Sequence, residues 1–343
     1  MSTKTLQASR LPALLDAIRQ STRLVAPARD GDRIHFRPVA AAAAEIASHR
    51  DYIVPRNSIK EFFFPRSEPL LAFERREAAV AVDDPPMAFP PTVLFGCRPC
   101  GAASLPIMDA LYNWDSRDPF WNARRAATTV VAIACTRADE ACFCTALGSA
   151  PNATAGADLL LTPLDDTRYL AEVLTPKGEA IVALAPDAFR DAAPGDADKQ
   201  APCQAALDAL PSPLDLDRIA AWLAANFESD RWAPLSYKCL GCGCCTFLCP
   251  TCHCFDIVDE GTYRRGQRRK NWDACQTPLF SLHASGHNPR PDQAARWRQR
   301  IEHKFNYYVQ KFAVRSCVGC GRCIRHCPVN MNILGQLQEI STL

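Results

Sequence analysis

The sequence CLGCGCCTFLCP at positions 239–250 is followed by CVGCGRCIRHCP at positions 317–328. Each stretch reads C-x2-C-x2-C-x3-C-P, so the two share one spacing of cysteines. Glycine stands at the same places in both, where it suits a backbone that turns sharply and approaches a ligand closely. These glycines are Gly241, Gly243, Gly319 and Gly321. Because the pattern is repeated in full, it indicates two copies of one ligand-binding loop that fold together.

This spacing is the one in which bacterial proteins hold [4Fe–4S] clusters. Three cysteines at intervals of two residues surround one side of a cubane, and the fourth, next to proline, ligates the other cluster. The first predicted set, cluster A, is Cys239, Cys242, Cys245 and Cys327. The second, cluster B, is Cys317, Cys320, Cys323 and Cys249. Zinc is disfavoured, because structural zinc sites use two pairs of ligands and not a third cysteine in the same run.

Four further cysteines follow apolar segments in the first half of the chain. Cys100 comes shortly after the strand-like segment 92–95, and Cys135, Cys142 and Cys144 come directly after the segment 128–134. We therefore predict a third [4Fe–4S] cluster, cluster C, at Cys100, Cys135, Cys142 and Cys144. The alternative is a group of buried thiols without a metal, since free cysteine is often buried.

Six cysteines remain outside these three sets. Cys252 and Cys254, with Cys275 or Cys244, could hold a further metal or pack beside the clusters, and packing is favoured because cysteine behaves as a small apolar residue. Cys97 is a spare residue beside cluster C, and Cys203 an idle thiol. The sequence leaves the roles of Cys97, Cys244, Cys252, Cys254 and Cys275 open.

The pattern of apolar segments predicts an α+β protein: an N-terminal α/β-type domain, then an expanded, helix-rich, two-cluster ferredoxin-like domain. We expect a helical segment over 1–50, the α/β domain over 51–190, a linker over 191–213, and the dicluster domain over 214–343 with an insert at 251–316. Helices are predicted at 39–48, 102–112, 214–227 and 293–312. Strands are predicted at 92–95, 128–134, 158–162, 168–173 and 179–184. The aromatic residues 62–64 favour core or interface packing.

Composition narrows the class of protein. The chain has 343 residues, of which 48% are hydrophobic and 22% charged, as in globular proteins. Its 18 cysteines fall mostly in ligand-like groups, which indicates a reducing compartment and not a disulfide framework. The N-terminus lacks an apolar signal core and no run is long enough for a membrane span, so we expect a cytoplasmic protein.

Charge and missing motifs exclude several functions. Three clusters at about −2 each would turn the formal charge of +2 into about −4, which does not favour binding to nucleic acid. Neither G-x-G-x-x-G after a strand nor G-x-x-x-x-G-K-[ST] occurs. No catalytic triad or metalloprotease pattern stands out. We therefore expect that this chain does not bind a nicotinamide and has no catalytic centre of its own.

Several short motifs together resemble a known family. They are FGCRPC at 95–100, ACFCT at 141–145, GADLL at 156–160 and CPTCHCFD at 249–256, supported by FFFP at 62–65, WD at 272–273, NPRP at 288–291 and HK at 303–304. From about residue 52 to its end the chain is similar to the electron-transfer β subunit of soluble nickel–iron hydrogenases of the sulfhydrogenase type. It is also similar to the A subunit of anaerobic sulfite reductase.

The resemblance implies an iron–sulfur subunit that relays electrons in a cytoplasmic oxidoreductase complex. Its implied partners are a flavin-bearing, NAD(P)H-binding subunit and a catalytic subunit, either a nickel–iron hydrogenase or a sulfite reductase. The alternatives are the A subunit of an anaerobic sulfite reductase, or a flavin-binding reductase that acts by itself. A flavin bound to the purified chain would distinguish the last of these.

Overall fold

The computed structural model describes residues 2–40, 45–77, 79–197 and 200–343. Its larger sheet has eight strands, in the order β10-β1-β9-β8-β7-β6-β2-β3. The strands are β1 (Ser2–Gln7), β2 (Arg23–Asp30), β3 (Arg33–Pro38), β6 (Thr92–Cys97), β7 (Thr128–Ile133), β8 (Leu159–Pro163), β9 (Arg168–Val173) and β10 (Phe189–Asp191). The neighbours β2, β6, β7 and β8 run parallel, whereas β1, β3, β9 and β10 pair antiparallel.

The central strands are apolar along their whole length because both faces of the sheet are covered. One face packs against α1 (Leu11–Ser21) and α5 (Pro176–Ala183), the other against α2 (Pro99–Ala102), α3 (Ser104–Tyr112) and α4 (Pro119–Ala127). Phe63 and Phe64 are each 1% exposed and belong to this second core, so the aromatic segment is core and not interface. Because β6 and β7 are parallel neighbours, their carboxyl ends lie at the same edge of the sheet, and Cys100 and Cys135 follow these ends.

A second, antiparallel sheet joins distant parts of the chain. It has the order β11-β12-β4-β5 and consists of β4 (Ser67–Arg76), β5 (Ala79–Asp83), β11 (Phe255–Gly261) and β12 (Arg265–Trp272). The hairpin β11–β12 belongs to the predicted insert, yet β12 pairs with β4 from the first half. The buried Glu68 bonds to Arg124 and Lys270 and ties this sheet to α4.

Helices surround the cysteine runs in the C-terminal part. They are α6 (Gln204–Asp208), α7 (Leu216–Ala225), α8 (Trp232–Ser236), α9 (Cys244–Phe247), α10 (Gln293–Glu302), α11 (Tyr308–Phe312), α12 (Arg322–Arg325) and α13 (Ile333–Thr342). A π-helical turn, His303–Tyr307, connects α10 to α11. Besides the two cores on the faces of the large sheet, these helices enclose a third hydrophobic core, which contains Trp297, Ile301 and Leu337. Cysteines of the predicted clusters A and B pack against it. Within the described residues no helix is long and apolar enough to cross a membrane.

The α+β fold class is confirmed, and so are the strands predicted at 92–95, 128–134, 158–162 and 168–173 and the helices at 102–112, 214–227 and 293–312. The expected helix within residues 1–50 is present as α1, but the description of the whole segment as helical is wrong, because β1, β2 and β3 flank α1 and complete the large sheet. The domain boundaries remain predictions. The helix predicted at 39–48 falls partly on residues 41–44, outside the described residues.

The strand predicted at 179–184 is also wrong, because this segment belongs to α5. The side chain of Thr175 caps that helix by accepting a hydrogen bond from Gly178 N, and Pro176 occupies its first position, where the missing N–H costs nothing. A short apolar run in a sequence does not distinguish a buried strand from a buried helix. Here the N-cap at Thr175 favours the helix.

Candidate iron–sulfur centres

The two cysteine runs have the same backbone geometry. Gly241 and Gly243 have φ values of +67° and +72°, and Gly319 and Gly321 have +63° and +69°. A short helix begins directly after each second glycine, α9 in the first run and α12 in the second. Glycine is needed because this left-handed backbone is strained for other residues. The repeat in the sequence is therefore a repeat in three dimensions.

The structure brings the predicted cluster B residues together across the two runs. Burial raises the pKa of Cys317 to about 11, and the neighbouring thiols of Cys249 and Cys320 act in the same direction. The pKa of Cys323 is raised by burial and by the proximity of Cys317, Cys320 and Cys249. Cys249, from the first run, thus lies with the three cysteines of the second run.

The predicted cluster A residues are also neighbours. Here Cys327, from the second run, lies with the three cysteines of the first run. Burial raises the pKa of Cys239, and the nearby thiols of Cys242 and Cys327 raise it further, while Cys245 lies near Cys239. Gln293 Nε2 donates a hydrogen bond to Cys239 Sγ at 3.1 Å. Cys242 is exposed, which makes this set the one that reaches the surface.

The four residues of predicted cluster C line one small cavity. Cys100 lies in α2 after β6, Cys135 follows β7, and Cys142 and Cys144 lie on the next loop. Burial raises the pKa of Cys142 to about 11 and that of Cys144 to about 12. Because thiolates are the ligands of iron, loading this cavity must release protons.

The loops of predicted clusters B and C are pressed together. Phe143 N donates a hydrogen bond to Gly319 O at 2.9 Å, and Cys320 lines the same cavity as the cluster C residues. Arg325 on α12 donates to both carboxylate oxygens of Asp139, at 2.6 and 2.8 Å, and to Cys142 Sγ at 3.4 Å. A bidentate pair of this kind fixes geometry as well as charge. The two loops therefore form one unit.

Three buried cationic side chains lie beside the end of the first cysteine run. The pattern of cysteines in the sequence did not predict them as site residues. Lys60, Arg300 and Lys304 are 3%, 2% and 3% exposed. Lys304 Nζ lies 3.4 Å from Cys249 Sγ and Arg300 Nη1 lies 3.5 Å from Cys252 Sγ, while Lys60 Nζ donates to Cys252 O at 2.9 Å. Among the described residues none of the three forms an ion pair with a carboxylate. Buried charge requires a counter-charge, so an anionic group fits this site.

The remaining six cysteines lie in three environments. Cys97 and Cys203 are fully buried in the core beside the large sheet. Cys244 lies at the surface side of the first run and its Sγ contacts His326 O at 3.5 Å. Cys252, Cys254 and Cys275 line a second small cavity, together with His253 and His303.

Replacing Lys304 with methionine is expected to lower the reduction potential of one cluster, because the positive charge favours the more negative, reduced state. A unit charge about 6 Å away, at an effective dielectric constant of about 20, contributes about 3 kcal/mol, so the shift is on the order of 100 mV. A redox titration of the purified protein followed by EPR spectroscopy measures it.

The matched control is Lys177→Met, because Lys177 Nζ, like Lys304 Nζ, bonds to backbone carbonyl oxygen, here of Arg125 and Thr128, but to no cysteine. Its cluster potentials should be unchanged. Equal titration curves for the Lys304→Met protein and the wild type would show that Lys304 does not face a cluster.

Comparison with known proteins agrees with this geometry. Residues 238–331 match the model of the 4Fe-4S dicluster domain family. The chain is 30% identical over 345 residues to sulfhydrogenase 2 subunit beta of Pyrococcus furiosus, covering 98% of this chain and 97% of that protein. No solved structure matches the chain significantly. The chain therefore belongs to the family of iron–sulfur β subunits of sulfhydrogenases, and its C-terminal part is a 4Fe–4S dicluster domain.

Proposed function

We propose that this chain relays electrons between a flavin-bearing, NAD(P)H-binding subunit and a catalytic subunit, most simply a soluble nickel–iron hydrogenase, within a cytoplasmic complex. The observation that carries the proposal is the continuity of the three cysteine sets. Cys320 belongs to cluster B and lines the cavity of cluster C, while Cys249 and Cys327 are exchanged between clusters A and B. The order of electron transfer is then C–B–A or its reverse.

A relay needs two ends that reach partners. At the cluster A end, Cys242 is exposed, and so are two large side chains that precede it closely in the sequence, Tyr237 (76% exposed) and Leu240 (67% exposed). Exposed apolar patches of this kind mark sites of protein association. At the other end, the cluster C residues lie at the edge of the large sheet, where ligands of α/β sheets commonly bind. One partner is expected at each end.

The hydrogenase assignment rests on the relative, whose name designates the β subunit of a sulfhydrogenase. A β subunit is by definition part of a larger assembly, which fits a chain whose cysteine sets carry electrons and do not bind a substrate. Copurification from the native source tests the catalytic partner. A nickel–iron subunit pair is expected, whereas a sirohaem subunit would assign the chain to a sulfite reductase, and flavin held by this chain alone would make it a reductase.

The iron content of the purified protein tests the third cluster. The protein with Cys135→Ala is expected to carry about four irons fewer than the wild type, since a cubane holds that number. Iron and acid-labile sulfide are measured after anaerobic reconstitution. The control is Cys203→Ala, because Cys203 is fully buried in the core beside the large sheet but belongs to no predicted set. If both variants hold the same iron as the wild type, cluster C does not exist.

A further inference from the structure

The cavity that lies beside the predicted clusters A and B collects cysteines that none of the three sets uses. Cys252, Cys254 and Cys275 come from two separate segments of the insert and line it together. Cys252 and Cys275 are each 8% exposed, and the thiols of Cys254 and Cys275 lie next to each other. Cys252 in turn neighbours Cys249, and Cys275 neighbours Cys245. The cavity thus lies between one residue of each ferredoxin-type set.

Positively charged side chains surround this cavity. Arg300 and Lys304 line the cavity, and Lys60 bonds to Cys252 O beside it. Arg300 lies near Cys245 of predicted cluster A as well as near Cys249 and Cys323 of predicted cluster B. Arg300 Nε also lacks a hydrogen-bond partner among the described residues. An anionic group in the cavity would accept a hydrogen bond from this buried donor.

A histidine offers the fourth ligand. His253 Nδ1 lies 3.1 Å from Thr251 O, so it can donate its proton there and leave Nε2 with a free lone pair. Metal-binding imidazoles generally have their other nitrogen held by a backbone carbonyl or a carboxylate in this way. His253 lines the cavity between Cys252 and Cys254 in the sequence.

We propose that Cys252, Cys254, Cys275 and His253 hold a fourth iron–sulfur cluster, adjacent to clusters A and B. In the described part of the chain no three potential ligands are close enough for a single metal ion, and this holds for the predicted cubane sets as well. In an iron–sulfur cluster each of these four ligands would bind a different iron. The two neighbours of the cavity would place this centre on the electron path.

The test compares iron content. The protein with Cys252→Ala, Cys254→Ala and Cys275→Ala combined is expected to hold about four irons and four sulfides fewer than both the wild type and the Cys203→Ala control. An unchanged iron content in the triple variant would overturn the proposal. A loss of about one equivalent of zinc without loss of iron would overturn it too, because the site would then be mononuclear.

A second measurement keeps the proposal testable if the triple variant does not fold. Four cubanes correspond to about sixteen irons per wild-type chain and three to about twelve. A wild-type count near sixteen that falls to about twelve in Cys135→Ala supports the fourth centre. A wild-type count near twelve that falls to about eight in Cys135→Ala overturns the fourth centre while leaving the three-cluster relay intact.

Discussion

Assembled with its partner subunits, the Cys100→Ala protein is expected to lose all NAD(P)H-linked turnover. Cys100 belongs to predicted cluster C, which lies at one end of the proposed relay and contacts Cys320 of cluster B. Without that cluster, electrons have no path between the flavin-bearing subunit and the catalytic subunit. The measurement is the rate of NAD(P)H-linked activity of the purified complex under anaerobic conditions.

A dye that exchanges electrons directly with the catalytic subunit supplies the internal control, since it bypasses this chain. Dye-linked activity of the Cys100→Ala complex should equal that of the wild type, and the Cys203→Ala complex should retain both activities. Full NAD(P)H-linked activity in the Cys100→Ala complex would place cluster C off the electron path and refute the proposed relay.

The second large effect is expected from Gly319→Ala. A Cβ atom at Gly319 would lie 2.5 Å from Cys144 N and 2.5 Å from the carbonyl carbon of Phe143, which are backbone atoms that cannot rotate away. The loops of clusters B and C must then separate, with loss of the Phe143–Gly319 hydrogen bond. We expect loss of the iron of cluster C and a clear fall in the melting temperature, measured by anaerobic thermal unfolding and iron analysis.

Gly31→Ala is a matched control for the backbone strain. Gly31 has φ +61°, against +63° for Gly319, but nothing lies within 4 Å of its added Cβ. The control should therefore show only the strain of a left-handed residue, about 1–2 kcal/mol, and keep its iron. If Gly319→Ala is no worse than Gly31→Ala in melting temperature and iron content, the close approach of the two loops is not required.

Local patterns in the sequence determined the chemistry of this protein. The spacing of Cys239 to Cys249 and of Cys317 to Cys327 predicts two [4Fe–4S] sites, because three ligands of each cubane lie within one short loop and the fourth cysteine of each run serves the other cluster. The central strands β6 and β7 and the long helical segment 293–312 were predictable too, since their apolar periodicity extends over enough residues. Short or mixed segments were not, as residues 179–184 and the strand-rich first 50 residues demonstrate.

Only the tertiary structure decided which of these loops meet and which charges surround them. Lys60 reaches Cys252 O across 192 residues of sequence, and Arg325 reaches Asp139 across 186. No local pattern encodes such contacts, because they arise when the β11–β12 hairpin pairs with β4 and when the cluster B loop packs against the loop after β7. The cavity of Cys252, Cys254 and Cys275 exists for the same reason: burial and charge belong to the assembled chain, whereas ligand spacing belongs to a single segment.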